Sequence, residues 1–395
     1  RAALIACAAT VLVVVVFGRA LARFALDAMW FDGLAMGSVF WTTLRAKVLL
    51  FVGFFAVFAV LCGANLAIAD KLAPSYFPAN VHPLVERFHR VAVYRSRLYR
   101  YVGAGVLGVL IAGPAVGQWQ NWLLFRHSQR FGLSDEQFHV DIGFYVFRLP
   151  FLAFVVDWLL LTMVVVLVVT VVTHVLNGSV VFASAAPTAS RAMGAHLAVL
   201  LGALALLKGA DYWLARYEAT NVSRGIVQGP TYAVVNGQLP ALLLLTVVSV
   251  VVAALYFVTA RTRTWRLPLL GSAIWLVLAL LAGVAYPALV QSLVVRPNQR
   301  SREAPFIAHN VYATRRAMNI DAVSPIDVEV GPLAARDITA DQRPLENIRL
   351  LNPRAFLPQF EREQGLDAGF AIDDLDVDRY VLDDQREQVL IAARE

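Results

Sequence analysis

Three charged side chains fall where charge is expensive. Asp157 lies inside the apolar stretch 150–176, and Lys208 and Asp211 lie inside the apolar stretch 192–214. Residues three apart share one face of a helix, so Lys208 and Asp211 face the same way. An isolated charge at mid-bilayer costs about 2.5–3.5 kcal/mol or more, so such groups pair or line a wet cavity. The chemistry on offer is an ion or proton path, or a polar mouth for a solute. The plainer interpretation is a structural ion pair with snorkelling at the membrane surface. It is favoured because transport routes need polar groups at the midplane. Asn65, Thr170, His174 and His196 read there as scattered singles.

Other chemistry is sparse. The two cysteines, Cys7 and Cys62, both sit in apolar stretches, and the acidic tail has none. That tail therefore holds neither a disulfide nor a cysteine metal site. No phosphate-cradling Gly-Lys-Ser/Thr loop, His-Glu-x-x-His or Gly-x-Ser-x-Gly occurs, so no catalytic motif and no cofactor or metal is implied. His82 and His89, seven apart, suit contact with anionic lipid better than metal ligation. Glu303, His309, Arg315 and Arg316 invite a phosphate- or carboxylate-binding story. Adjacent helical residues point about 100° apart, so capping and ion pairing explain the two arginines better.

These residues must be positioned by membrane helices. Apolar residues make up 59% of the 395, charged residues 16%, and the mean hydropathy is +0.63. Soluble domains are nearer 45–50% and about 25%, so a membrane protein is indicated and a disordered or disulfide-scaffold chain is excluded. The basic residues flank apolar spans, which argues against nucleic acid as the partner. Residues 1–291 hold 21 Lys/Arg and 10 Asp/Glu; residues 292–395 hold 13 Arg and 18 Asp/Glu. The expected division is a helical bundle over 1–291 and a soluble acidic domain over 292–395.

A bilayer core needs ~20 apolar residues per helix. Seven stretches qualify: 2–18, 48–69, 101–119, 150–176, 192–214, 239–260 and 267–290. Basic residues mark the cytoplasmic side. Loop 70–100 carries Lys71, Arg87, Arg90, Arg95, Arg97 and Arg100, and loop 261–266 carries Arg261, Arg263 and Arg266. This predicts a multi-pass plasma-membrane protein with a cytoplasmic N-terminus and an extracytoplasmic tail. Anionic headgroups are the expected partner of loop 70–100. Arg19, Arg23, Arg45 and Lys47 run against that orientation. Residues 19–31 suit either an interfacial helix or an extension of the first span. Ala104, Gly108 and Ala112 let a neighbouring helix approach closely, inside the bundle more readily than across a dimer seam. No internal repeat is visible.

In the tail, Ser301 reads as a helix N-cap with Glu303 and Pro305 in the first turn. Ile307, Val311, Thr314 and Met318 form a helical stripe. Residues 372–380 alternate acidic and apolar, as a strand with one wet face does. Asp374, Asp376 and Asp378 imitate a calcium loop, but Arg379 stands where Gly is needed and Gln385 where Glu is needed.

The run from Pro297 and Asn298 through Glu303, Pro305, Asn310, Thr314 and Arg315 to Asp321, with Val377-Asp378-Arg379-Tyr380, resembles uncharacterised protein family 0182. So do Trp30-Phe-Asp-Gly-Leu34, Asp141-Ile-Gly-Phe-Tyr-Val-Phe-Arg-Leu-Pro150 and Arg216-Tyr217. Ser134-Asp-Glu-Gln-Phe138 and Gly229-Pro-Thr-Tyr-Ala233 depart from the family pattern. The resemblance implies large polytopic membrane proteins common in actinobacteria, with a large extracytoplasmic domain of which this chain is a fragment. It carries over no catalytic residue. The expected fold is a polytopic α-helical membrane protein, about seven transmembrane helices followed by the start of a mixed α/β extracytoplasmic domain. The expected role is an envelope component whose bundle anchors an external domain for a protein or lipid partner. A transporter using Asp157, Lys208 and Asp211, and an envelope enzyme with its site further along, are the alternatives.

Overall fold

The computed structural model describes the backbone of residues 2–74, 86, 95–181, 188–221, 223–224, 227–320, 322–327, 331, 348, 352–364 and 371–393. Side chains before Gly18 are outside the description. Two compact units appear, Arg1–Asn319 and Ile320–Glu395. His82, His89, Arg87 and Arg90 of the basic loop lie outside the described residues.

The first unit is helical. Helix α1 is Ala2–Gly33 and α2 is Gly37–Lys71. Helix α3, Ser96–Ala112, passes through a 3-10 stretch, Gly113–Gln118, into α4, Trp119–Arg126. Then come α5, Leu149–Leu176, α6, Arg191–Glu218, and α7, Leu239–Thr262. The last stack holds α8, Arg266–Leu280, the single turn α9, Tyr286–Leu289, and α10, Gln299–Ala317. Six helical stretches among the described residues are long and apolar enough to cross a membrane: Gly37–Lys71, Arg97–Arg126, Phe144–Leu176, Arg191–Glu218, Val234–Thr262 and Arg266–Ala317. The expected span at 2–18 lies within α1, in residues whose side chains are not described, so six replaces seven as the described count. Residues 19–31 continue α1 without a break, which makes them an extension of that helix.

The bundle is apolar outside as well as inside. Val60 is 69% exposed, Leu276 64% and Val284 66%, a surface suited to lipid. Inside, Phe58, Cys62 and Leu66 of α2 pack on Trp158 and Val166 of α5. Trp158 donates its indole N–H to the Ile111 carbonyl at 2.8 Å. Small residues bring helices together. A Cβ on Gly108 would stand 2.9 Å from the Phe55 ring, so that glycine serves packing between α3 and α2. A Cβ on Gly202 would stand 2.7 Å from the Phe257 ring, where α6 meets α7.

Four prolines share one local device. Five- or six-residue π turns at Phe144–Arg148, Val234–Gln238, Leu281–Ala285 and Val290–Val295 each end two residues before a proline: Pro150, Pro240, Pro287 and Pro297. A helical proline has no N–H and its ring collides with the carbonyl four residues back. Widening the preceding turn relieves that collision without ending the helix. Twice the proline is in the pair Leu-Pro opening a long apolar helix, at Leu149-Pro150 and Leu239-Pro240. That recurrence was not visible as a sequence repeat.

Helix α10 begins at Gln299 rather than at a Ser301 cap. Asn298 occupies the cap without a side-chain bond, and Ser301 Oγ donates back to the Asn298 carbonyl. The second unit holds α11, Pro353–Glu363, whose cap Asn352 accepts from Arg354 N–H at 3.1 Å. It also holds an antiparallel hairpin, β5 (Asp376–Leu382) on β6 (Gln385–Ile391), numbered after two-residue strand pairs Val180–Val181/Thr188–Ala189 and Ser223–Arg224/Val227–Gln228. Asp383 and Asp384 turn the hairpin with φ of 50° and 63°, the left-handed pair that a two-residue turn favours. The strand therefore starts at Asp376, four residues later than the alternation from Ile372 suggests.

Candidate functional site: a buried polar chain across three helices

Asn65 on α2, His174 on α5 and His196 on α6 form one hydrogen-bonded chain. His196 Nε2 lies 2.9 Å from Asn65 Oδ1, and His174 Nε2 lies 3.1 Å from His196 Nδ1. His174 Nδ1 lies 3.4 Å from Ser179 Oγ. His174 is fully buried, Ser179 and His196 nearly so. The sequence reading of these residues as scattered singles is corrected here.

The helices explain the meeting. Helices α5 and α6 are joined by the short strands Val180–Val181 and Thr188–Ala189, so they run antiparallel and match in depth near the turn. Ser190 caps α6 by accepting from Met193 N–H at 3.2 Å, and its own N–H donates to the Ser179 carbonyl. These bonds hold Ser179 under His174.

The bonds also assign the protons. Asn65 Nδ2 donates to the Leu61 carbonyl at 2.7 Å, which turns Oδ1 towards His196. An amide oxygen only accepts, so His196 Nε2 carries hydrogen. In the neutral ring, His196 Nδ1 then accepts, and His174 Nε2 carries hydrogen. His174 Nδ1 is left as an acceptor for the Ser179 hydroxyl. The chain thus points one way, from Ser179 to Asn65. A proton added at His174 Nδ1 turns that ring into an imidazolium, and passage of its Nε2 proton to His196 Nδ1 moves the charge to α6. Asn65 stops the chain, because an amide oxygen is a poor relay.

An ionic knot lies at the same end. Arg100 Nη1 donates to Asp70 Oδ1 at 2.7 Å and to Asn177 Oδ1 at 3.1 Å. Asn177 Nδ2 donates to Asp70 Oδ1 at 3.0 Å. These bonds tie the ends of α2, α3 and α5 together. Asp70 and Arg100 are 14% and 13% exposed, whereas Arg97, 3.6 Å from Asp70, is 78% exposed. Between this end and Asp157, the Thr162 and Thr170 hydroxyls are buried without a hydrogen-bond partner among the described residues.

Asp157 lies about 25 Å along α5 from His174, at 1.5 Å per residue. It is exposed on the bundle surface, within electrostatic reach of Asp211 and Lys208. Lys208 forms an ion pair with Asp211 and stands 4.8 Å from the centre of the Tyr212 ring. Glu218 is within reach of Asp157 and Asp211. Arg216 lies over the Trp213 ring at 4.5 Å and the Phe138 ring at 5.3 Å.

Of the tail residues singled out, Pro297 and Asn298 form the 3-10 turn leading into α10. Glu303 is buried and accepts from Tyr232 N–H at 3.1 Å. Pro305 lies within α10. The Asn310 amide packs against Gly229, whose φ is +99°. Thr314 and Arg315 occupy the end of α10, the Thr314 carbonyl accepting from Met318 N–H. Asp378, Arg379 and Tyr380 lie on β5 opposite Val389, Gln388 and Glu387. Among the described residues no group of three or more His, Cys, Asp or Glu is placed to hold a metal ion.

Long apolar helices with a buried polar chain define a multi-pass helical bundle of the kind that crosses membranes. The model of the uncharacterised protein family UPF0182 matches residues 4–395, and the chain belongs to that family. A family protein from Frankia casuarinae is 37% identical over 368 residues, 91% of this chain and 36% of the relative. One from Nocardioides sp. is 34% identical over 93% of this chain and 37% of its own length. One from Thermobifida fusca is 32% identical over 100% of this chain and 39% of the relative. The chain thus spans less than half the length of these relatives. No solved structure matches it.

Proposed function

We propose that the chain is the membrane part of a plasma-membrane envelope protein, in which the bundle anchors the extracytoplasmic chain that follows it. The docking of α10 carries this reading. Glu303 accepts from Tyr232 N–H, Arg302 lies 5.2 Å from the centre of the Tyr232 ring, and His309 Nδ1 stands 2.9 Å from Glu136 Oε2. The helix leaving the last apolar stack is therefore fastened to the loops 127–143 and 219–233, as suits a platform for a binding domain. The orientation rests on the basic loops, Arg261 and Arg263 facing the cytoplasm. Purification of the full-length protein from its native membrane in mild detergent, followed by mass spectrometry, tests the role. A stoichiometric envelope protein is the expected result. A lone protein retaining a defined solute overturns the anchor reading.

The buried Asn65–His196–His174 chain favours transport as a second reading, with the charged group at Asp157, Lys208 and Asp211 at the far end of α5 and α6. Ion or solute flux into vesicles holding the full-length protein decides it. Asp157→Asn and His174→Ala are expected to abolish flux in folded protein, and unchanged flux counts against the reading.

A further inference from the structure

We infer that the loop between α4 and α5 forms a headgroup site for an anionic phospholipid. The loop borders a half-open cavity of about 520 Å³ whose wall includes Ser128, Arg130, His139, Asp141 and Arg148. Its acidic groups are engaged elsewhere: Glu136 pairs with His309 of α10, and the two aspartates bond the loop's own backbone. Asp141 accepts from the N–H groups of Phe131, Gly132 and Gly143 at 3.1, 2.9 and 2.7 Å. Asp135 likewise accepts from Gln137, Phe138 and Val140.

The cations are not used up in this way. Arg148 Nε donates to Ser128 Oγ at 3.3 Å, which orients the guanidinium and leaves its two amino groups without a partner among the described residues. Arg130 is within electrostatic reach of Asp141. Among the described residues neither arginine has an ion pair. A guanidinium fork matches two phosphate oxygens, and His139 adds a further ring nitrogen at the wall.

The backbone keeps the cavity's shape. A Cβ on Gly143 would stand 2.2 Å from the Gln129 carbonyl oxygen, so only glycine fits beneath the floor. The surroundings select lipid over free phosphate. Arg148 directly precedes Leu149-Pro150, where an apolar helix begins. Phe131 stacks on Phe147 with ring centres 5.7 Å apart and is itself 53% exposed; Val146 is 45% exposed. Exposed apolar side chains beside the start of a membrane helix suit acyl chains, which adjoin the phosphate in a phospholipid. The site therefore takes a phosphodiester monoanion carried on a diacylglycerol, such as phosphatidylglycerol.

Native mass spectrometry of the full-length protein in mild detergent tests this, with phosphatidylglycerol, phosphatidylcholine and inorganic phosphate added separately. Phosphatidylglycerol is expected to bind at least about tenfold tighter than phosphatidylcholine. Arg130→Gln and Arg148→Gln are each expected to weaken it about tenfold, the size of one lost charge-assisted contact. Both side chains are exposed, so the thermal midpoint should hold. Equal binding of the two lipids, or no effect of either substitution, overturns the site. Displacement of the lipid by inorganic phosphate at equal concentration overturns the lipid assignment. If either variant fails to fold, a photoactivatable phosphatidylglycerol on the wild type replaces it. Crosslinks confined to residues 128–148 support the site, and crosslinks elsewhere overturn it.

Discussion

His174 Nε2 and His196 Nδ1 stand 3.1 Å apart inside an apolar bundle, and a residue on a third helix decides which of them carries the proton. Asn65 turns its oxygen to His196 because its amide N–H is committed to the Leu61 carbonyl. The direction of the chain is thus set from α2, not from the imidazole pair.

Asn65→Leu removes that instruction. It leaves the His196 Nε2–H buried without an acceptor, which costs about 1–3 kcal/mol. The ring is then expected to sample both tautomers. Nitrogen NMR of histidine-labelled protein in membranes reads this directly. Wild type should show Nε2–H on both rings, and the variant a mixed signal for His196. A variant spectrum identical to wild type rules out the assigned chain.

The Asp70 knot separates two arginines in one experiment. Arg100 is nearly buried against Asp70 and Asn177, whereas Arg97 reaches the same carboxylate from solvent. Removing one partner of a buried pair costs about 3–5 kcal/mol, and an exposed pair contributes about 0–1 kcal/mol. Arg100→Leu should lower the denaturation midpoint of the detergent-solubilised protein markedly, and Arg97→Ala barely. Equal effects would show that the knot does not hold the helix ends.

The apolar stretches are legible because hydropathy is a local property, and the six described spans fall on stretches marked by it. The Lys208–Asp211 pair is legible too, since spacing along one helix fixes it. The histidine chain is different in kind. His196 and Asn65 are 131 positions apart, and their contact depends on the rotation of α2 against α6. One signal was available: His174 and His196, 22 apart, flank the same short connection at similar distances, so antiparallel helices bring them level. The π turns were signalled by nothing but their prolines.

Close packing of α6 on α7 yields a rescue test. Gly202→Ala would drive a methyl group to 2.7 Å from Phe257, and overpacking costs about 1–3 kcal/mol. Phe257→Leu in the same chain makes room. The single variant should unfold earlier on heating, and the double variant should recover most of the loss. Failure of the second change to help would place the strain elsewhere.

The loop between α4 and α5 is expected to respond to acid through Asp141. Desolvation works to raise its carboxyl, but it is outweighed by the N–H groups of Phe131, Gly143 and Gly132 together with the charge of Arg130. The net result lies below the ordinary carboxylate value. A group depressed in the folded state stabilises above its unfolded pKa, and that contribution fades as pH falls through the folded value. The loop should therefore hold unchanged from neutral pH down past about pH 4, the usual carboxylate range, and loosen only below it. Hydrogen exchange of the Phe131, Gly132 and Gly143 amides, corrected for intrinsic rates, follows this loosening. Asp141→Asn should raise exchange at neutral pH and remove the acid step; a step that persists in the variant assigns it to another group.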